Sequence, residues 1–233
     1  MHQIKDDILS YQEMCDAENA QTLQRGMNYR LNLAYSVILM SQRSSASYND
    51  KIYSDGVTIE YEGHDISKKS YAHDPKRENQ PEKLPTGRLT QNGLFIKAVT
   101  DYKNQKQAPE IVKVYEKVFP GVWSLKGFFD LIDYKIVSNN ARNVYRFILK
   151  LSDKQLGGTD NVKKLLKHHR LIPSVVKKEV WKRDSGKCVI CGEKKNLHFD
   201  HDLPFSKGGT SLTSKNVKLL CMKHNLQKSD KIE

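Results

Sequence analysis

Four residues near the C-terminal end carry the spacing of a metal clamp. They are Cys188-Val189-Ile190-Cys191 and, thirty residues on, Cys221-Met222-Lys223-His224. Each C-x-x-C or C-x-x-H turn presents two soft donors to one ion, and two such turns suit a tetrahedral Zn²⁺. Four protein ligands leave no position for water, so the zinc is expected to be structural. In so short a module it would supply ~10 kcal/mol of folding free energy. The plain alternative, three unrelated buried cysteines, does not explain the pairing.

Between the two turns lies Leu197-His198-Phe199-Asp200-His201-Asp202-Leu203-Pro204-Phe205-Ser206-Lys207-Gly208-Gly209, then Asn216-Val217-Lys218-Leu219-Leu220. Asn225, Gln227 and Lys228 follow the last ligand. Hydrolysis of a phosphodiester needs a base to activate water and a hard cation to stabilise the charge that develops on oxygen. His201 suits the base, because imidazole with an ordinary pKa of about 6.5 is neutral and basic at working pH. Asp200 offers a carboxylate oxygen and Asn225 an amide oxygen to a Mg²⁺-type ion that keeps several waters. Strict strand alternation would point Asp200 and His201 to opposite faces, so the strand is expected to end or bulge there. Lys207 and Lys228 are candidates for DNA phosphate contact, with solvated lysines as the alternative. His198 and Asp202 flank the pair as supporting or solvated groups.

The Asp-His pair, the Pro-x-Ser-Lys-Gly-Gly loop, the Asn-x-x-x-Leu-Cys run and the Asn after the second turn resemble the HNH nuclease family. The resemblance covers about 60 residues, from Ile172 to Lys231. It implies a ββα-metal fold with a zinc clamp at the base of its hairpin, and metal-dependent (Mg²⁺ or Mn²⁺) endonuclease activity. It also gives Asn216 the task of bonding the loop and orienting the base. His224 stands where a Cys is usual, and Asn225 where some members carry a third His. An amide oxygen suits Mg²⁺ better than zinc.

Residues 1–20 read as one amphipathic helix, with Ile4, Ile8, Tyr11 and Cys15 at helical spacing. From Gly26 to Leu151 short apolar or alternating runs are divided by turn residues such as Asp55-Gly56 and Pro120-Gly121, which predicts a mostly β module. Its ordered segments resemble the SRA fold, a β-barrel reader that flips a modified cytosine out of duplex DNA. They are Ser36–Met40, Tyr48-Asn49-Asp50, Ile59-Glu60-Tyr61-Glu62-Gly63, Gln91-Asn92-Gly93-Leu94, Ile111–Val114, Trp123–Asp133 and Arg146–Leu149. By that resemblance Tyr48 and Tyr61 stack on the flipped base and Asp50 accepts from its amino group. The alternative makes both tyrosines strand-face core residues and Asp50 a turn residue. Trp123, Phe128 and Phe129 read as barrel core.

The charge agrees with a nucleic-acid partner. The 233 residues carry a net +12, and residues 151–233 hold 18 of the 39 lysines and arginines but 9 of the 27 acidic residues, so +9 of the excess lies there. No apolar stretch reaches the roughly 20 residues of a membrane span, and the N-terminus lacks the pattern of a secretory signal. Four cysteines are too few for a disulfide scaffold, and a cytoplasmic setting is expected.

The expected organisation is α+β. An N-terminal helix (1–20) precedes an SRA-like β-barrel (21–152), a linker (153–171) and an HNH domain (172–233). The expected function is a modification-dependent restriction endonuclease. It would read 5-methyl- or 5-hydroxymethylcytosine in duplex DNA and cut nearby, as a homodimer because one site cuts one strand. The competitors are an HNH nicking or homing-type nuclease acting on unmodified DNA, and a zinc-containing DNA-binding protein without catalysis.

Overall fold

The computed structural model describes residues 6–23, 26–43, 46–66, 74–138, 142–152, 172–203, 209, 211 and 213–228. The expected linker 153–171 and Lys207 lie outside the described residues. In chain order the elements are β1 (Asp6–Ser10), α1 (Tyr11–Ala17), β2 (Met27–Asn32), β3 (Tyr35–Met40), β4 (Lys51–Ile52) and β5 (Thr58–Glu62). Then come α2 (Gln91–Lys103), β6 (Glu110–Phe119), β7 (Val122–Ser138), β8 (Asn143–Leu151), α3 (Ser174–Arg183), β9 (Leu197–His201), β10 (Val217–Cys221) and α4 (Met222–Lys228).

The ten strands of the described residues belong to one sheet, which branches at β7. Along one edge β7 pairs with β6, which continues to β3 and β2. The β3–β6 pairing is parallel, as a crossover through α2 requires. The first residues of β7, Val122 to Ser124, pair with β1, and its last, Phe129 to Ser138, pair with β8 and so lead to β5 and β4. The seven strands β4-β5-β8-β7-β6-β3-β2 curl around α2, whose Phe95, Ile96, Ala98 and Val99 are buried among Met27, Ile38, Ile59, Val112, Phe129 and Phe147. Burying each such large side chain contributes roughly 1.5–3 kcal/mol.

Among the described residues no ladder closes this curl into the expected barrel. A side chain spans the gap instead, with Tyr61 Oη donating to Gly26 O at 3.0 Å. Of the three residues expected in the barrel core, Phe129 is fully buried there, whereas Trp123 packs in a separate cluster with Met14, Cys15, Leu23, Val37 and Tyr115, and Phe128 is half-buried, edge-on to Tyr35.

The C-terminal hairpin β9–β10 lies between two helices. α3 turns Val176 and Val180 onto Phe199, Val217 and Leu219, and α4 faces the sheet with Asn225 and Lys228. The N-terminal segment departs from expectation. Among the described residues of 1–20, Asp6–Ser10 is a strand and only Tyr11–Ala17 is helical, in place of the expected single helix. The reason is local: Ser10-x-x-Glu13 is a capping box, in which Ser10 Oγ accepts from Glu13 N and Glu13 Oε2 from Ser10 N. That box starts a helix at residue 11 and leaves the chain before it extended. Ser10→Ala is expected to destabilise the protein by about 1 kcal/mol, read as a lowered denaturant midpoint.

Candidate functional site

The four sulfur and nitrogen donors expected to bind metal converge. Cys188 Sγ, Cys191 Sγ, Cys221 Sγ and the His224 ring nitrogen all lie within 4.8 Å of one another. Cys191 Sγ is 3.8 Å from Cys221 Sγ, and His224 Nδ1 is 3.3 Å from Cys221 Sγ and 3.5 Å from Cys188 Sγ. Tetrahedral zinc with its ordinary bond lengths demands edges of about 3.8 Å between sulfurs and about 3.5 Å between sulfur and nitrogen, so the quartet fits the ion. His224 would serve as the fourth ligand, in place of a Cys, through Nδ1. Burial pushes the Cys188 thiol up, but backbone donors at Cys221, Cys191 and Ile190 outweigh it and bring it down to about 6. The thiolate a metal requires is thus favoured by the turn itself.

This clamp ties β10 and α4 to the turn before β9. Asp200 and His201 are the last two residues of β9, paired with Lys218 and Val217. The expected bulge is absent: the ladder runs in register through Asp200 and His201, and β9 ends only after His201, with Phe199 in the core against α3 and Asp200 meeting α4. His201 Nε2 lies 2.8 Å from Ser211 Oγ, a buried hydroxyl that sequence reasoning passed over because a lone Ser in a polar loop carries no signal. Asn216 clamps the turn after β9. Its Oδ1 accepts from Leu203 N at 2.7 Å and its Nδ2 donates to Leu203 O at 3.0 Å. Gly209 makes this approach possible, because a Cβ there would stand 1.9 Å from Leu203 O and 2.9 Å from Asn216 Nδ2.

Lys228 is not on the surface where a DNA phosphate could meet it. It is buried, its Nζ 2.8 Å from Asp200 Oδ2 and also bonded to His201 O. The cause is helical periodicity: Asn225 and Lys228, three residues apart, share the inner face of α4. Lys228 therefore holds the Asp200 carboxylate, and Asn225 lies on the same seam. Asp202 is held below the ordinary carboxylate range by Lys218, 2.8 Å away.

A second constellation forms at the far end of β3 and β5. Asp50 is buried and accepts from Ser41 N at 2.9 Å and Glu62 N at 3.1 Å, one on each carboxylate oxygen. Burial pushes it up to about 7. Tyr61, next to Glu62, is a core residue, yet its hydroxyl reaches the site, 3.3 Å from His64 Nε2. Tyr48 stacks on the His64 ring with centroids 5.7 Å apart and planes 22° apart, and Lys76 Nζ sits 3.9 Å from the Tyr48 centroid. Tyr48, Asp50 and Tyr61 are therefore brought together, around a histidine that the sequence reading did not single out. His64 is fixed by Asn92, which accepts from His64 N at 2.8 Å and donates to His64 O at 2.9 Å. Beneath them Arg142 binds Asp65 and Glu62, and Arg146 binds Glu62.

No protein-family model matches the sequence, and no curated protein matches it. Among solved structures the chain is similar to the SRA domain of SUVH5 in its complex with hemi-methylated CG DNA, with TM-score 0.46 and 14% identity, covering 68% of this chain and 94% of that one. It is similar to the same domain bound to fully hydroxymethylated CG DNA, with TM-score 0.43 and 16% identity over 66% and 91%. It is also similar to the type IV phosphorothioation-dependent restriction endonuclease ScoMcrA, with TM-score 0.41 and 15% identity over 99% of this chain and 60% of that chain.

Two outcomes are expected. Stripping the metal with a chelator should abolish amide protection in α4 and in the 188–196 turn while β6 and β7 stay protected; unchanged exchange in α4 would contradict a structural zinc. Asp50 binds a proton more readily folded than unfolded, so its burial lowers stability progressively as pH rises from about 4 to 7. The difference in unfolding free energy between wild type and Asp50→Asn, followed across that range, should shift in favour of the variant as pH rises.

Proposed function

We propose that the chain is a DNA endonuclease whose N-terminal β module reads a modified cytosine extruded from the duplex and whose C-terminal ββα unit cuts a nearby phosphodiester bond. The observation that supports the nuclease half is the strand end Asp200-His201 tied to Lys228, through the Asp200 carboxylate and the His201 carbonyl, with the Cys₃His cluster at the base of the same hairpin. A histidine bonded to a buried Ser211 and, one residue before it, a carboxylate bonded to a buried lysine support catalysis over DNA binding alone.

Each residue has a task in hydrolysis. His201 takes the proton of the attacking water on its imidazole, and Ser211 at Nε2 fixes the ring's orientation. Asn216 sets the backbone after His201, and with it the approach of the water. Asp200 and Asn225 would hold one hard divalent ion, Mg²⁺ or Mn²⁺, which when bound supplies Lewis-acid stabilisation of the charge on the phosphate and leaving oxygens. Lys228 keeps Asp200 oriented by occupying its Oδ2. In the reader, Asp50 retains lone pairs beyond its two backbone bonds and accepts from the cytosine amino group. A base that stacks on Tyr48 displaces the His64 ring or the Lys76 ammonium, and 5-methyl- and 5-hydroxymethylcytosine are the substrates proposed. Since one active site cuts one strand, a double-strand break needs two protomers, two bound copies or sequential nicks, and a homodimer on DNA is the arrangement proposed. The setting is restriction of modified DNA in the cytoplasm.

The test is Mg²⁺- or Mn²⁺-dependent cleavage of matched duplexes carrying cytosine, 5-methylcytosine or 5-hydroxymethylcytosine. A duplex with a phosphorothioate linkage is the control for modification of the backbone. Cutting confined to modified cytosine, and reduced at least 100-fold in His201→Ala, is the expected result. Equal cutting of every duplex would remove the reader and leave a nuclease. Absence of cutting by zinc-replete, DNA-bound protein would remove the nuclease.

A further inference from the structure

The two halves of the molecule are joined by more than the chain between them. β1 pairs at one end with β7, through Ile8, Leu9 and Ser10 against Ser124, Trp123 and Val122. At its other end it pairs with β9, through Asp6 and Asp7 against Phe199 and His198. The strand that ends in Asp200-His201 is thereby hydrogen-bonded, through one five-residue strand, to the sheet that carries the base site.

Under this seam lies a buried polar cluster drawn from both halves. Glu116 of β6 and Lys126 of β7 form an ion pair of 3.1 Å with both side chains fully buried. Lys177 of α3, also fully buried, lies 3.8 Å from the same carboxylate oxygen, donates to Ser124 Oγ at 2.8 Å, and sits 5.5 Å from the centre of the Phe199 ring. It touches both strands that β1 joins. Ser174, opening α3, donates to Glu116 and lies 2.7 Å from Gln42 Oε1. Gln42 adjoins Ser41, whose N–H binds Asp50. Lys126 also donates to Ile172 O at 3.1 Å. Buried charges of this kind keep one geometry, because separating them leaves an ion without a partner in a dry interior.

We infer that β1 and the Glu116–Lys126–Ser174–Lys177 cluster weld reader and nuclease into one body, so that the distance from the modified base to the cut is set by this seam and not by the length of segment 153–171. The inference rests on the proposed function for its substrate. The named residues act through the nuclease strand and are positioning residues.

Three proteins test it: wild type, a variant with about ten Gly/Ser residues inserted within segment 153–171, and a variant lacking residues 1–7 and carrying Lys177→Met. Two readouts are taken. One maps the cut positions on an end-labelled duplex with a single 5-methylcytosine. The other is the distance distribution between spin labels carried by unnatural residues at the exposed positions Lys106 and Lys194. Wild type and the insertion variant should cut at one and the same position and give the same narrow distribution. The seam variant should spread its cuts over several phosphates and broaden the distribution, with total nicking reduced less than tenfold. Cuts that shift or spread on insertion, or a broad wild-type distribution, would overturn the weld. Should the seam variant fail to fold, the insertion variant still decides. A wild type that cuts no modified DNA while keeping the narrow distribution would sink the proposed function and leave the weld standing.

Discussion

The divided pairing of β1 is the constraint on which the rest of the arrangement depends. A five-residue strand has too few hydrogen bonds to be stable alone. It is held because each end completes a ladder that would otherwise present an open edge, β7 on one side and β9 on the other. Ile8 supplies the apolar part of the bargain, since it packs against both hydrophobic clusters of the C-terminal unit. Phe199 is fixed between β1, β10 and Lys177, which leaves Asp200 and His201 at the strand end with little freedom. The chemistry proposed for that strand end requires such fixity, because reacting groups displaced by an ångström lose much of their effect.

Both candidate sites solve the same local problem in the same way. A side chain just beyond the end of a strand sits on backbone whose N–H and C=O have left the ladder and still need partners. A carboxamide is the side chain that offers one donor and one acceptor together. Asn216 does this for Leu203 beside His201, and Asn92 does it for His64 beside Tyr48 and Tyr61. Charge is handled in parallel. Lys228 holds Asp200 from below, and Arg146 and Lys135 hold Glu60 on the outer face of β5, where every residue from Thr58 to Glu62 is buried.

The convergence of Cys188, Cys191, Cys221 and His224 was legible because it is written in short-range spacing. The two C-x-x-C/H turns, Asp200-His201, Asn216 and Asn225 lie within 40 residues and on adjoining elements, so sequence offsets translate directly into geometry. Lys228 was misjudged because a lysine looks solvated until the helix phase that also buries Asn225 is counted. Ser10 and Glu13 signalled the start of α1, but the apolar spacing of Ile4, Ile8, Tyr11 and Cys15 competed with that signal. The pairing of β1 with strands more than a hundred residues away leaves no mark on its own sequence. His64 was missed for a related reason: its role comes from Asn92 and Tyr48, partners 28 and 16 residues away on different elements. The closed barrel came from the SRA resemblance, because alternation reports which face is buried and says nothing about whether the last ladder is made.

The claim that joins these parts is that the Tyr48–Asp50–Tyr61–His64 site takes up a base extruded from duplex DNA. Its most direct measurement is the fluorescence of 2-aminopurine placed next to a single 5-methylcytosine, titrated with His201→Ala protein so that no cutting intervenes. A rise in emission on binding, absent from the unmodified duplex and lost in Asp50→Ala, is the predicted result, because a neighbour that leaves the stack no longer quenches the probe. Tight binding to both duplexes with no change in emission would contradict the account.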